Sequence, residues 1–217
     1  MKTKKPLIIW GATGQSIVLE EFLNEEYELC AIFDNDMNTC SPFEGVKIFY
    51  KEAGFDSWCS GKGGDYHFIV AIGGARGKDR RQISDFLISK NLCPISAIHE
   101  KSFIAKNVKL GESIQVMMGA CIAARCVIGE NVIINTSASI DHECIIGNGC
   151  HIGPGAKLAG NISIGEYSFI GIGAIVLPNL KIGKECIVGA GSVVTKDIPD
   201  YSVVYGNPAK IKGVVNE

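Results

Sequence analysis

From position 98 onward the chain places an aliphatic residue at every sixth position; before that point it does not. Stepping by six from Ile98 to Val194, through Ile122, Ile140, Leu158 and Val176, seventeen successive positions are Ile, Leu or Val without a slip. A glycine often follows, as at Gly111, Gly129, Gly147 and Gly165. A period of six fits neither a helix at 3.6 nor an alternating strand at 2. It predicts flat faces with corners between them, stacked as a parallel β-helix whose interior is filled by ladders of like side chains. A further period of eighteen predicts three faces per coil. Ser102, Ala120, Ala138, Ala156, Ala174 and Ser192 form one column of small residues, while other columns hold Val108, Ile162 and Leu180, or Ile114 and Val132. The run is long enough for roughly five coils, each about 4.8 Å above the last.

The first 97 residues follow another pattern. Residues 6–10 are an apolar strand, Gly11-Ala12-Thr13-Gly14 a tight turn, and 15–24 an amphipathic helix. A second strand over 28–33 ends in Asp34-Asn35, and a third over 67–72 is closed by Gly73-Gly74. A charged helix over 78–90 follows, and 94–97 leads into the coil. Short apolar strands alternating with helices predict a small Rossmann-like parallel α/β domain. Residues 36–65, scattered with Gly, Pro, Ser and Asp, give no clear pattern. The expected organisation is a domain over 1–97 and a β-helix over 98–217, whose tail leaves the six-residue register at Asp200.

Composition narrows the partners. A net charge of -2, with no basic tract beyond Lys2, Lys4 and Lys5, points to neither a nucleic acid nor a membrane surface. No apolar run approaches the ~20 residues of a membrane span. The stretch 7–10 is too short for a signal-peptide core, so the expected location is the cytoplasm. The nine cysteines include no CxxC pair, and their odd number implies reduced thiols that serve largely as small hydrophobes.

With repeat and tail placed, the chain resembles the bacterial sugar O- and N-acyltransferases that join a nucleotide-sugar domain to a left-handed β-helix. Members include UDP-4-amino-sugar N-acetyltransferases of the bacillosamine and perosamine pathways and sialic acid O-acetyltransferases. The resemblance is carried by Ile9-Trp10-Gly11-Ala12-Thr13-Gly14, Ala71-Ile72-Gly73, residues 135–160 around Asp141-His142-Glu143-Cys144, and Gly206-Asn207-Pro208-Ala209-Lys210. It implies a homotrimer in cell-surface glycan biosynthesis, with acetyl-CoA as acyl donor and active sites between neighbouring coils.

Acetyl transfer from a thioester needs a base for the acceptor's proton and a donor for the oxyanion. His142 lies two places after Ile140 and so points out of the coil. Position alone leaves a solvated surface residue as an equal reading; the resemblance makes His142 the base and Glu143 the carboxylate that favours its imidazolium. Gly160, eighteen residues on, is expected one coil directly above, with room for the thioester and a backbone N–H for the oxyanion. The resemblance assigns acetyl-CoA contacts to His151, half a coil from His142, and to Ile172 and Ala190, the last often Gly in the family. A zinc site of the β-helix carbonic anhydrase kind is rejected, because the repeat holds only His99, His142 and His151, with His99 far from the others. No metal is expected.

Gly11-Ala12-Thr13-Gly14 lacks the full G-x-G-x-x-G spacing, so no dinucleotide is implied. Its N–H groups suit a phosphate, and Asp34 and Asn35 suit a ribose or base. The resemblance places the nucleotide-sugar at Thr13, Gly14, Gln15, Asp34, Asn35 and Gly73; most relatives carry His in place of Gln15. The leading expectation is N-acetylation of a UDP-linked 4-amino sugar. The alternatives are O-acetylation of sialic acid or another sugar, and a non-catalytic nucleotide-sugar-binding trimer.

Overall fold

The computed structural model describes residues 3–23, 25–60 and 65–215. Asn24, at the end of the expected first helix, and Lys2 of the basic stretch lie outside them, as do residues 61–64 and 216–217. The chain forms two compact units: Met1–Ile72 with Asp79–Ile95, and Gly73–Lys78 with Ser96–Glu217. The short stretch 73–78 thus groups with the β-helix although it lies far from it in sequence. Among the described residues no helix is long and apolar enough to cross a membrane.

The first unit runs β1 (Lys5–Trp10), α1 (Gly14–Leu23), β2 (Tyr27–Asp34), β3 (Ile48–Tyr50), α2 (Lys51–Cys59), β4 (His67–Val70), α3 (Gly77–Ser89, from Asp79 onward in this unit) and β5 (Cys93–Pro94). The strands make one parallel sheet in the order β3-β2-β1-β4-β5. Strands buried on both faces need continuous apolar runs, and Leu7 to Trp10, Ala31 to Phe33 and Phe68 to Val70 supply them. Leu19 and Leu23 from α1 and Ile83 and Leu87 from α3 are buried as well. Trp10 stacks on Phe33 at 5.3 Å between ring centroids, and Phe33 meets Trp58 edge-on at 5.5 Å. The three expected strands and two helices are present. β3, α2 and β5 come in addition, the first two inside the stretch whose pattern was unreadable.

The second unit is a left-handed parallel β-helix with three faces. One is a six-stranded sheet from Phe103–Ile104 to Val193–Val194, and one a five-stranded sheet from Lys109–Leu110 to Lys181–Ile182. The third has eight strands, beginning at Ala97–Ile98 and ending with Ser202–Tyr205 and Lys210–Val214. Every strand of the repeat is two residues long, and the ladder aliphatic is its second residue. Partners lie eighteen apart, as in Ile122↔Ile140 and Ile134↔Ile152. The ladder residues from Val116 to Val194 are buried, while Ile98 and Leu110, in the first coil with no coil beneath it, stay partly exposed.

Each corner turns on one residue with a left-handed backbone. From Ser113 to Gly191 every sixth residue has φ between 54° and 70°, including Arg125, Glu143, Asn161 and Tyr167. L-residues pay roughly 1–2 kcal/mol for this conformation, so the stacked sheets and buried ladder must impose it. The register changes at the top. Ile198, not Asp200, bridges Ile182, and Val204 pairs with Val188, each sixteen residues on. Lys210–Val214 then returns antiparallel to Ser202–Tyr205.

Candidate active site

His142 occupies the corner after strand Ser139–Ile140 of the six-strand face. Its backbone N–H donates to Asp141 Oδ1 at 2.8 Å and its carbonyl accepts from Asn161 N at 2.8 Å, which fixes the base of the side chain. The ring points outward, with the side chain 56% exposed. Glu143 takes the left-handed corner position (φ 61°), and its own N–H donates to Ala124 O of the coil below. Glu143 Oε2 stands 3.1 Å from His142 Nδ1, and Oε1 stands 3.4 Å from Arg125 Nη1. A carboxylate at Nδ1 favours a proton there, which leaves the lone pair on Nε2.

Nε2 faces Gly160. A Cβ built on Gly160 would come 2.5 Å from His142 Nε2 and 2.6 Å from Cε1, so any side chain there would run into the imidazole. The Gly160 carbonyl accepts from Asn179 N at 3.1 Å, and its N–H meets no acceptor among the described residues. The His142 ring and Gly160 therefore lie together at one corner, one coil apart, as the eighteen-residue spacing predicts. A groove of about 330 Å³ runs beside them along the six-strand face, lined by Ala123, Asp141, Lys157, Ala159 and Leu177. The nearest thiol, Cys144, points inward to Ala159 O at 3.2 Å, and burial pushes its pKa to about 11. It is a core residue and not a nucleophile.

The other coil positions differ among themselves. Ile172 is exposed, as is Ala190, and Gly191 N donates to Ile172 O at 2.8 Å, so the two corners are stacked one coil apart. His151 is buried on the eight-strand face, its Nδ1 3.3 Å from Gly74 O and its Nε2 3.1 Å from Asn135 Nδ2. Gly73, in the same unit, is next to this ring: a Cβ there would lie 3.7 Å from His151 Cε1.

In the first unit, Gly11 has φ 112° and passes so close to Ala71 O that a side chain cannot fit. Its N–H donates to Phe33 O at 2.7 Å, and Ala12 N donates to Asp34 Oδ2 at 2.8 Å. Asp34 Oδ1 accepts from Asp36 N at 2.9 Å. Asp34 thus ties the turn after β1 to the end of β2 and leaves Thr13, Gly14 and Asn35 exposed, with Gln15 half-buried at the start of α1.

Three residues went unnoticed in the sequence. Arg125 stands eighteen before Glu143, a spacing that points to it. Asn135 holds His151 from a neighbouring strand position. Arg80 is 1% exposed and donates from Nη1 to Ile72 O at 2.8 Å; its spacing to Ser84 and Leu87 marks the buried side of α3.

Residues 125–160 and 161–196 match the bacterial transferase hexapeptide (six repeats) family. A comparison with curated protein sequences found no match. Among solved structures, the chain is similar to PerB from Caulobacter crescentus in complex with CoA and GDP-perosamine. Identity is 35% and the TM-score 0.86, with 97% of this chain and 99% of that one covered. It is similar to the acetyltransferase domain of PglB from Neisseria gonorrhoeae in complex with acetyl coenzyme A at 31% identity and TM-score 0.83, over 96% and 100% of the two chains. WeeI from Acinetobacter baumannii matches at 25% identity and TM-score 0.81, over the same shares.

Proposed function

The chain belongs to the bacterial sugar acyltransferases of the left-handed β-helix kind, and from that premise we propose that it acetylates the amine of a nucleotide-linked amino sugar. Acetyl-CoA is the acyl donor. The observation that carries the reading is the His142 imidazole, held by Glu143 at one nitrogen and facing Gly160 with the other.

His142 Nε2 takes a proton from the acceptor nitrogen as that nitrogen attacks the thioester carbon. The developing oxyanion is held by the Gly160 N–H, and the imidazolium is stabilised by Glu143. The tetrahedral intermediate collapses by breaking the C–S bond, and the thiolate of CoA leaves, taking up the proton from His142. Ile172 and Ala190 line the donor's path, and their exposure on successive coils supports this. Thr13, Gly14, Gln15, Asp34, Asn35 and Gly73 bind the sugar nucleotide. The working unit is a homotrimer, a reading supported by the exposed apolar side chains of Val127, Ile145, Ile172 and Ile175 on the coil.

The resemblance favours a UDP-linked 4-amino sugar. The GDP-perosamine bound by the Caulobacter relative supports a GDP-linked one as second reading. CoA release measured with UDP-, dTDP- and GDP-linked amino sugars decides between them. Turnover of free sialic acid, with none of the amino sugars accepted, would replace N- by O-acetylation.

A further inference from the structure

The corner that carries His142 breaks its own pattern in one respect. In the two coils above, its left-handed residue is Asn161 and then Asn179, and Asn is the side chain that adopts this backbone most readily after Gly. Asn161 Nδ2 donates to Asn179 Oδ1 at 2.9 Å. At the coil of His142 and the coil below, the same position holds Glu143 (φ 61°) and Arg125 (φ 63°), which lack that preference and carry opposite charges. Their backbones are tied together: Glu143 N donates to Ala124 O at 2.9 Å, and Arg125 N donates to Asn107 Oδ1 at 3.1 Å. Outside the coil, Arg125 Nη1 lies 3.4 Å from Glu143 Oε1, while Glu143 Oε2 lies 3.1 Å from His142 Nδ1. One carboxylate thus divides its two oxygens between a guanidinium and the imidazole.

We propose that Arg125 is a positioning residue for the transfer. By holding Oε1 it turns Oε2 toward His142 Nδ1, so that the ring keeps its proton there and offers Nε2 to the acceptor. The Glu143 side chain is 48% exposed and would otherwise rotate in water, and the tautomer of an imidazole is set by the hydrogen bond its nitrogens make. The guanidinium also has an opposing effect, because a positive charge on the same carboxylate weakens its pull on the imidazolium. Orientation outweighs it here. Arg125 is 72% exposed, so water screens the field it casts on the imidazole, whereas the contact with Oε1 acts on the oxygen it touches. The pair is long and exposed, which keeps the expected effect small.

This inference rests on the reading of His142 as the base, so its test has one arm that needs no substrate. Arg125→Gly removes the guanidinium at a backbone that glycine adopts without strain, and Arg125→Lys keeps the charge. The first arm is nitrogen NMR of isotopically labelled histidine, of which the chain has four. The neutral His142 ring is expected as the Nδ1–H form in the wild type and as a mixture of both tautomers in the Gly variant. The second arm is steady-state kinetics. The Gly variant is expected to lose about three- to fivefold in kcat, the scale of an exposed charge pair, with KM for both substrates within about twofold. The Lys variant should recover most of that loss. In a Glu143→Gly background, Arg125→Gly is expected to change kcat no further, because Arg125 acts through that carboxylate. A mere staple between coils would lower the denaturation midpoint and leave the ring and kcat untouched, and either one unchanged overturns the proposal. So does a rise in kcat, or a loss that persists without Glu143. A wild-type protein that acetylates no amino-sugar nucleotide refutes the functional reading instead, and the tautomer arm still decides whether Arg125 orients the ring.

Discussion

At the scale of single residues, the proposed mechanism depends on a glycine as much as on a histidine. Replacing His142 by Ala removes the proposed base, and turnover is expected to fall at least ~100-fold in steady-state assays. Gly160→Ala should do comparable damage for a different reason. Its Cβ would occupy the space of His142 Nε2, so the ring must swing away from both Glu143 and the oxyanion donor. We expect kcat to drop about 100-fold with the far-ultraviolet spectrum unchanged; an alanine variant with wild-type kcat would remove Gly160 from the reaction. The resemblance singles out His142 and Glu143 in the sequence, and because eighteen residues make one coil, counting alone superposes position 160 on 142. The burial of His151 is invisible for the complementary reason. Its cover comes from 73–78, whose place on the coil leaves no periodic signal at position 151.

Secondary-structure elements were legible in proportion to their periodicity. Seventeen hexads speak with one voice, whereas β3 is three residues long and α2 is nine residues with Gly54 near its middle. Phe55 and Trp58, three apart and both buried, are the main apolar pair that marks α2 as a helix. Arg80 belongs to the charged helix expected over 78–90, yet it is buried and donates to a carbonyl of the loop after β4. At this scale the thiols offer a direct check. Cys126, Cys144, Cys150 and Cys186 are buried, and burial raises the pKa of Cys126, Cys144 and Cys186, while Cys30, Cys40 and Cys93 are exposed. Native protein at pH 8 should therefore react with a thiol-specific disulfide reagent at the exposed group and spare the four core thiols until denaturant is added. Rapid labelling of Cys144 in native protein would contradict the inward orientation of its column. In the first unit, Gly11→Ala must displace the carbonyl of Ala71 and strain a backbone at φ 112°. A loss of about 2–4 kcal/mol in a denaturant titration is expected.

For the whole molecule, the proposed trimer predicts complementation. His142→Ala and Ile172→Arg are each expected to be inactive as pure proteins, the first for lack of a base and the second through a charge in the donor's path. Co-expressed and allowed to mix, they should regain measurable turnover if one protomer supplies His142 and its neighbour supplies Ile172 to the same site. No recovery in verified mixed trimers would place both residues of a site on one chain. The interior sets the stability of the assembly: Ile134→Ala, at a fully buried ladder position, should cost about 2–5 kcal/mol, read as a lower denaturation midpoint.

One feature of the coil bears on how such a protein can change length over time. Because one left-handed residue recurs at every sixth position, each hexad rotates the chain by one corner and each set of three lifts it by one storey. Whole storeys inserted below Asp141 or above Gly160 would leave the imidazole under its glycine. Deleting a single hexad between them would swing the glycine round to another edge of the prism, and inserting eighteen residues would restore the edge but separate the two by an extra floor. The ladder is free to grow or shrink at its ends, whereas the one circuit from 142 to 160 has a length that the proposed reaction dictates.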